Sequence, residues 1–396
     1  NSYKWDKCKD FTIADELIKK DLYPYFHALE TKQDTEVVME GINEIMLGSN
    51  NYLGLTTNPE IIEAGIKTLE QYGTGCSGSR FLNGTLKMHY ELEDELKKFL
   101  RKEDCITFPT GFMSNLGIIS SVVGRHDYMI LDREDHASIY DATRLSYGKM
   151  LRYKHADMED LEAQLIAAKD CRFKLIATDD VFSMDGNVAP LDKIYELAQK
   201  YDAMIMTDVS HSAGVVGKTG RGTTELHNLR GKIEIITGTL GKAFGGAVGG
   251  FTTGKKEIIE MLRQRSRPYL FSNSIPPMVA GAAIKMFDLI SNDNTLQDKL
   301  HANTDYFVAK MKAAGFDIKP TQSAICAVML YDAPLSQRFA AKLSEEGIYV
   351  TGFYYPVVPK GQARIRVQVS AAHTTEHLDK CVNAFVKIGK ELGVLK

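Results

Sequence analysis

From about residue 56 to 253, short apolar runs alternate with stretches of helical periodicity, and this alternation constrains the chain more than any other feature. Runs near 104–108, 127–131, 149–153, 173–178, 203–207 and 233–237 predict strands, and 247–253 a further one. A helix-like segment at 87–101 leads into the first of them. Such alternation predicts an α/β fold with a mostly parallel sheet covered by helices. Helix-like segments near 255–264 and 277–314 follow. The tail from about 315 mixes strands (324–330, 364–369) with helices, and its last helix carries Leu378, Cys381, Val382, Phe385, Ile388 and Leu392 on one face. The expected division is an arm over 1–55, a large domain over 56–290 and a small α+β domain over 291–396.

A chain of 396 residues buries a sufficient core without staples. Charged residues make up 25% and the formal net charge is −3, so no basic field marks a nucleic-acid or acidic-membrane binder. No run approaches the roughly 18 apolar residues of a membrane span, and the first part of the chain has no signal-peptide core. The six cysteines, Cys8, Cys76, Cys105, Cys171, Cys326 and Cys381, lack CxxC or zinc-type spacing. They predict reduced thiols, no metal site and a cytoplasmic protein.

Three strand ends deliver polar groups. Lys242 follows an apolar run inside a segment with five glycines between 241 and 250. On spacing alone, a glycine-rich turn with a solvated lysine fits equally well. Two other segments favour function: Asp208 and His211 end the strand at 203–207, and Ser183 lies in the turn after 173–178. Open α/β sheets assemble ligand sites at the carboxyl edges of their strands. A lysine, an acid and a histidine placed there suit pyridoxal 5'-phosphate, with Lys242 bound to its aldehyde and Asp208 on its ring nitrogen. A desolvated, glycine-lined pocket lowers the lysine pKa, so that the amine serves as nucleophile and then as base.

Other segments carry weaker signals. Pro109 to Asn115 follows a strand and opens a helix, whose free amides suit a phosphate. His136 also follows a strand and is a candidate to stack on the ring face opposite the lysine. Arg364 and Arg366 read equally as solvated strand residues or as a guanidinium fork for a substrate carboxylate, with an asparagine from 50–51 assisting. Tyr269 to Ser274 reads as a polar loop or as a source of hydroxyls to the site.

Taken together, Asn50-Asn-Tyr-Leu-Gly-Leu, Gly75-Cys-Ser-Gly-Ser-Arg-Phe-Leu-Asn-Gly-Thr, Asp135-His-Ala-Ser, Phe182-Ser-Met-Asp-Gly, Asp208-Val-Ser-His, Gly238-Thr-Leu-Gly-Lys and Ala363-Arg-Ile-Arg resemble the α-oxoamine synthase family. The resemblance runs from about residue 15 to the C-terminus. It implies a fold type I pyridoxal phosphate enzyme with a seven-stranded sheet, joining an amino acid to an acyl-CoA. It assigns the cofactor to Lys242, the ring nitrogen to Asp208 and ring stacking to His136. Ser183 and His211 match the residues at the phenolic oxygen, and Gly111, Phe112 and Thr239 those around the phosphate. Ser272 and Asn273 match residues supplied by the partner of a homodimer with shared sites. Asn50, His136 and Arg366 match the substrate-binding set, and Ser79, Phe81 and Leu82 the acyl path. One departure is Val209, where the family usually has a second acid.

Within the family the resemblance divides. From about 170 onward the chain is similar to the glycine C-acetyltransferase branch, and the first third to the serine palmitoyltransferase branch. Glycine with acetyl-CoA is the favoured substrate pair. The apolar set Phe81, Leu82, Tyr23, Tyr25 and Phe26 disfavours succinyl-CoA and leaves L-serine with a long-chain acyl-CoA as the alternative. A non-catalytic partner subunit is the alternative of another class; retention of Lys242, Asp208, His136 and Arg366 argues against it.

Overall fold

Two short strands precede the main sheet: β1 (Glu36–Met39) and β2 (Ile42–Met46) form an antiparallel pair in the computed structural model, which describes residues 3–396. The central sheet follows. Its strands are β3 (Asp104–Phe108), β4 (Asp127–Asp132), β5 (Lys149–Tyr153), β6 (Phe173–Asp179), β7 (Met204–Asp208), β8 (Ile235–Thr239) and β9 (Gly250–Gly254). They lie in the order β3-β9-β8-β7-β6-β4-β5. The pairs from β8 through β7, β6 and β4 to β5 are parallel, whereas β9 is antiparallel to both β3 and β8. The α/β class, the seven strands and the near-parallel order expected from the sequence are therefore all present.

Strand residues are apolar on both faces because helices cover both. Leu175, Ala177, Met206 and Ile235 pack into one buried cluster, while Ile176, Ile205 and Ile236 pack into another. The period of two along each strand produces this split. Carboxylates and a hydroxyl stand at the carboxyl ends of these strands, at Asp132, Asp179, Asp208 and Thr239.

The C-terminal part adds β10 (Ile325–Tyr331), β11 (Ile348–Tyr349), β12 (Thr351–Phe353) and β13 (Ala363–Gln368). β10, β13 and β12 make an antiparallel sheet. β11 instead pairs in parallel with β2, Ile348 opposite Ile45, so the arm and the C-terminal part share a sheet. The last helix, Thr375–Glu391, buries Leu378, Cys381, Phe385 and Ile388 as its pattern predicts. The 277–314 segment differs from expectation: it is two helices, Pro277–Ile290 and Thr295–Ala313. The break falls at Ser-Asn-Asp-Asn, where the Asp293 carboxylate accepts from the Thr295 amide (2.9 Å) and hydroxyl (2.5 Å). Such local side-chain bonds replace the helix ladder.

Candidate active site

The carboxyl ends of β3, β4, β6, β7 and β8 surround a cavity of about 130 Å³. Gly111 and Phe112 line it after β3, His136 after β4, Ser183 after β6, Asp208 and His211 from β7, and Thr239 and Lys242 from β8. Eight residues singled out in the sequence thus converge on one space.

Close backbone approach shapes the phosphate-sized end. The helix Gly111–Val122 is capped by Thr110, whose hydroxyl accepts from the Met113 amide at 3.1 Å. A Cβ on Gly111 would lie 3.1 Å from Thr239 Cβ and 3.3 Å from the Gly238 carbonyl oxygen. One on Gly250 would lie 2.2 Å from the Thr110 carbonyl oxygen, so β9 reaches the helix start only because position 250 is glycine. The Gly111 and Phe112 amides have no intrahelical acceptor, and nearby the Thr239 hydroxyl accepts from the Gly241 amide at 3.0 Å.

The opposite end is acidic, its carboxylate held by three donors. Asp208 Oδ1 accepts from the Ser210 amide (2.9 Å) and hydroxyl (2.6 Å), and Oδ2 accepts from Asn115 Nδ2 at 2.9 Å. Val209 takes no part; it is buried in the apolar core, and its amide donates to the Thr237 carbonyl at 2.8 Å. The acid usual at that position is therefore replaced by packing, while Asp208 keeps three donors.

Lys242 Nζ lies 3.0 Å from His211 Nε2, and Tyr52 Oη lies 2.8 Å from His211 Nδ1. Burial pushes the Lys242 pKa down; Asp208 and Asp179 act against that shift and Arg366 adds to it. His211 falls well below the usual histidine range, first through burial and then through Lys242 and Arg366. Burial lifts Tyr52 to about 12, so it stays a neutral phenol. His136 is also held low by burial. Its amide donates to Asp179 Oδ2 at 2.7 Å, and burial holds that carboxyl well above its ordinary range.

Arg366 and Asn50 sit behind this cavity and do not line it. Gln368 links them: its Nε2 donates to Asn50 Oδ1 (2.6 Å) and Tyr52 Oη (2.9 Å), and its Oε1 accepts from Arg366 Nη2 at 3.4 Å. Arg366 Nη1 donates to the Ser183 carbonyl at 3.1 Å, and its Nε is buried without a partner. Among the described residues no carboxylate pairs with Arg366. Its neighbour Arg364 instead ion-pairs with Asp185 and donates to the Met184 carbonyl at 3.3 Å. Lys319 reaches the same Asp185 at 3.1 Å, and the Gly186 carbonyl accepts from Thr321 and Ser323. The turn that carries Ser183 is thus fastened to the C-terminal part of the chain.

Ser79, Phe81, Leu82, Ser272 and Asn273 lie outside the cavity of the single chain. Segments 78–82 and 271–274 touch one another: the Ser274 amide donates to the Gly78 carbonyl at 3.4 Å, and Phe81 meets Phe271 edge-on at 6.3 Å. Sequence reasoning missed Asn115, Ser138, Ser210, Tyr52 and Gln368 as parts of the network. Asn115 and Ser138 fall inside motifs already noted, but only the fold brings them beside Asp208.

A family model described as aminotransferase class I and II matches residues 42–385. The chain belongs to this family. It is 49% identical over 360 residues, 90% of each chain, to 2-amino-3-ketobutyrate coenzyme A ligase of Escherichia coli strain K12. It is 46% identical over 369 residues, 93% of this chain and 88% of the relative, to the mitochondrial 2-amino-3-ketobutyrate coenzyme A ligase of Homo sapiens. A solved serine palmitoyltransferase from S. paucimobilis with bound PLP superposes with a TM-score of 0.93 at 35% identity, covering 99% of both chains. The α-oxoamine synthase resemblance and the fold type I expectation are borne out. In this aminotransferase-family chain no helix among the described residues is long and apolar enough to cross a membrane.

Proposed function

We propose that the chain is a pyridoxal phosphate-dependent acyltransferase that condenses glycine with acetyl-CoA, yielding 2-amino-3-ketobutyrate and free CoA. One observation carries this reading: the Lys242 amine and the Asp208 carboxylate open onto one cavity, walled by His136, in a chain 46–49% identical to ligases of that name. The serine palmitoyltransferase with bound PLP has the same fold and supports the cofactor assignment.

The residues fit the cofactor. Gly111, Phe112 and Thr239 form a cradle that a Cβ at 111 would crowd, suited to a phosphate. Asp208, acceptor-only and held by three donors, suits a protonated ring nitrogen. Ser183 and His211 are assigned to the phenolic oxygen, and His136 to the ring face. When bound, pyridoxal phosphate supplies a sink for negative charge at the amino acid's Cα. Lys242 Nζ holds the cofactor and then takes the Cα proton; its lowered pKa suits that exchange. Arg366, buried and without a carboxylate partner, binds the substrate carboxylate, and Asn50 adds its amide N–H because its carbonyl is occupied by Gln368. His136 donates to the thioester carbonyl as CoA leaves.

A homodimer with shared sites belongs to this reading: Ser272 and Asn273 would complete the partner's cofactor site, beside the exposed rings of Phe81 and Phe271. The 1–55, 56–290 and 291–396 division and a cytoplasmic setting accompany it. The second reading, L-serine with a long-chain acyl-CoA, is favoured by the apolar Phe81, Leu82 and Phe271 surface and by the likeness to serine palmitoyltransferase.

The test has two arms. Purified protein with pyridoxal phosphate is expected to show an absorbance band at the visible edge that Lys242→Ala loses. Thiol release is then measured for glycine, L-serine and L-alanine against acetyl-, octanoyl- and palmitoyl-CoA. Release is expected with glycine and acetyl-CoA; turnover confined to L-serine and palmitoyl-CoA would replace the first reading by the second.

A further inference from the structure

Asp208 does more than present an acceptor to the cavity. A carboxylate has no proton to give, so the group at its Oδ2 must donate, and that group is the Asn115 amide nitrogen at 2.9 Å. This fixes which way the Asn115 amide faces. Its other N–H donates to Ser138 Oγ, also at 2.9 Å. The Asn115 carbonyl oxygen is left buried with no partner, and a flip that would exchange the amide's two ends would set that oxygen against the carboxylate. Both amide protons are thus committed, one to each neighbour.

Ser138 Oγ has a single proton. It accepts from Asn115, and because His136 Nδ1, 2.7 Å away, already accepts the Ser138 backbone N–H, the hydroxyl proton goes to that nitrogen. The Ser138 backbone amide donates to the same Nδ1 at 3.1 Å, because His136 is the N-cap of the helix Ala137–Arg144. Two donors converge on Nδ1. A neutral ring with an accepting Nδ1 carries its proton on Nε2. Nε2 has no hydrogen-bond partner among the described residues, and His136 lines the cavity.

We propose that Asn115 and Ser138 are positioning residues that, under the charge of Asp208, lock His136 as the Nε2–H tautomer. The residue then meets substrate as a hydrogen-bond donor and not as a proton acceptor. The carboxylate assigned to the cofactor's ring nitrogen sets the direction of the imidazole proton through two intermediaries. The tautomer follows from the chain's own bonds; its consequence for acyl transfer rests on the proposed function. Burial keeps the ring neutral, in agreement.

The test is a long-range ¹H–¹⁵N correlation spectrum of the holoprotein labelled with ¹⁵N-histidine at neutral pH, with His136 identified by the signals that vanish in His136→Asn. An unprotonated Nδ1 and a protonated Nε2 are expected. A protonated Nδ1, or an even mixture, overturns the proposal without recourse to any variant. Ser138→Ala and Asn115→Leu are expected to shift His136 towards a mixture and to lower kcat by about tenfold while the KM for the amino acid stays nearly constant. Ser138→Thr keeps the hydroxyl and is expected to restore both. A spectrum unchanged in the two removal variants overturns the positioning role. Absence of the Lys242-dependent absorbance band sinks the proposed function instead, and leaves the tautomer to be judged by its own spectrum.

Discussion

Gly186 shows how little freedom a single position in the site has. Its φ is +76°, and a Cβ there would lie 2.4 Å from the Ile325 carbonyl oxygen and 2.8 Å from Thr321 Oγ1. Gly186→Ala is expected to cost about 1–3 kcal/mol for the left-handed backbone alone, and more for the collision, read from the urea midpoint. Gly245 is the control, with φ +104° and nothing within 4 Å of its added Cβ. Gly245→Ala should pay only the backbone part, and equal losses in the two variants would disprove the collision. At this scale the sequence was most informative in combination: Lys242 alone read equally as a solvated turn residue and His136 as a weaker candidate, until Asp208, His211 and Ser183 at neighbouring strand ends favoured a site. It was silent on the roles of Tyr52, which meets His211 from 159 residues away, and of Gln368, which meets Tyr52 from 316 residues away. No local periodicity encodes such a meeting.

Among elements, the strands of the central sheet were legible to within about three residues because most are apolar runs long enough to cross a buried layer, Gly250–Gly254 being an exception. The two-residue β11 was not, since nothing in Ile348-Tyr349 distinguishes a strand from a loop. The union of the arm with the C-terminal part depends on more than that strand. His373 is buried; its Nδ1 accepts from the Ser370 amide and its Nε2 donates to the Met46 carbonyl, each at 2.9 Å. Burial lowers its pKa from 6.5 to about 4. The unfolded chain therefore binds a proton that the folded one refuses between those values. Stability contributed by His373 is complete above pH 6.5 and is lost as the pH falls through 4. The loss amounts to at most about 3 kcal/mol. Denaturation of His373→Ala is expected to show lower stability at pH 7 by about 1–3 kcal/mol, with a shallower decline towards pH 4. Parallel pH curves for the two proteins would rule the residue out as the source.

At the scale of the whole molecule, large apolar side chains of segments 78–82 and 271–274 lie exposed together. Phe81, Leu82 and Phe271 are 60%, 71% and 73% exposed, and two of their rings pack together. Contiguous apolar patches of this kind mark association. On the proposed homodimer, Leu82→Glu and Phe271→Glu are expected to halve the mass seen by sedimentation equilibrium and to remove thiol release, because Ser272 and Asn273 adjoin the same patch. A parent protein that sediments as a monomer while retaining full turnover would contradict the shared-site arrangement.

The clamp on the Ser183 turn also has a temporal side. Arg364 and Arg366, which hold Asp185 and the Ser183 carbonyl, follow Lys242 by more than 120 residues along the chain. A chain growing from its N-terminus therefore holds Lys242, Asp208 and His136 before the residues that fasten the Ser183 turn exist. Until then the Ser183 side of the cavity has no anchor, and the turn is fixed only once the strand Ala363–Gln368 is in place.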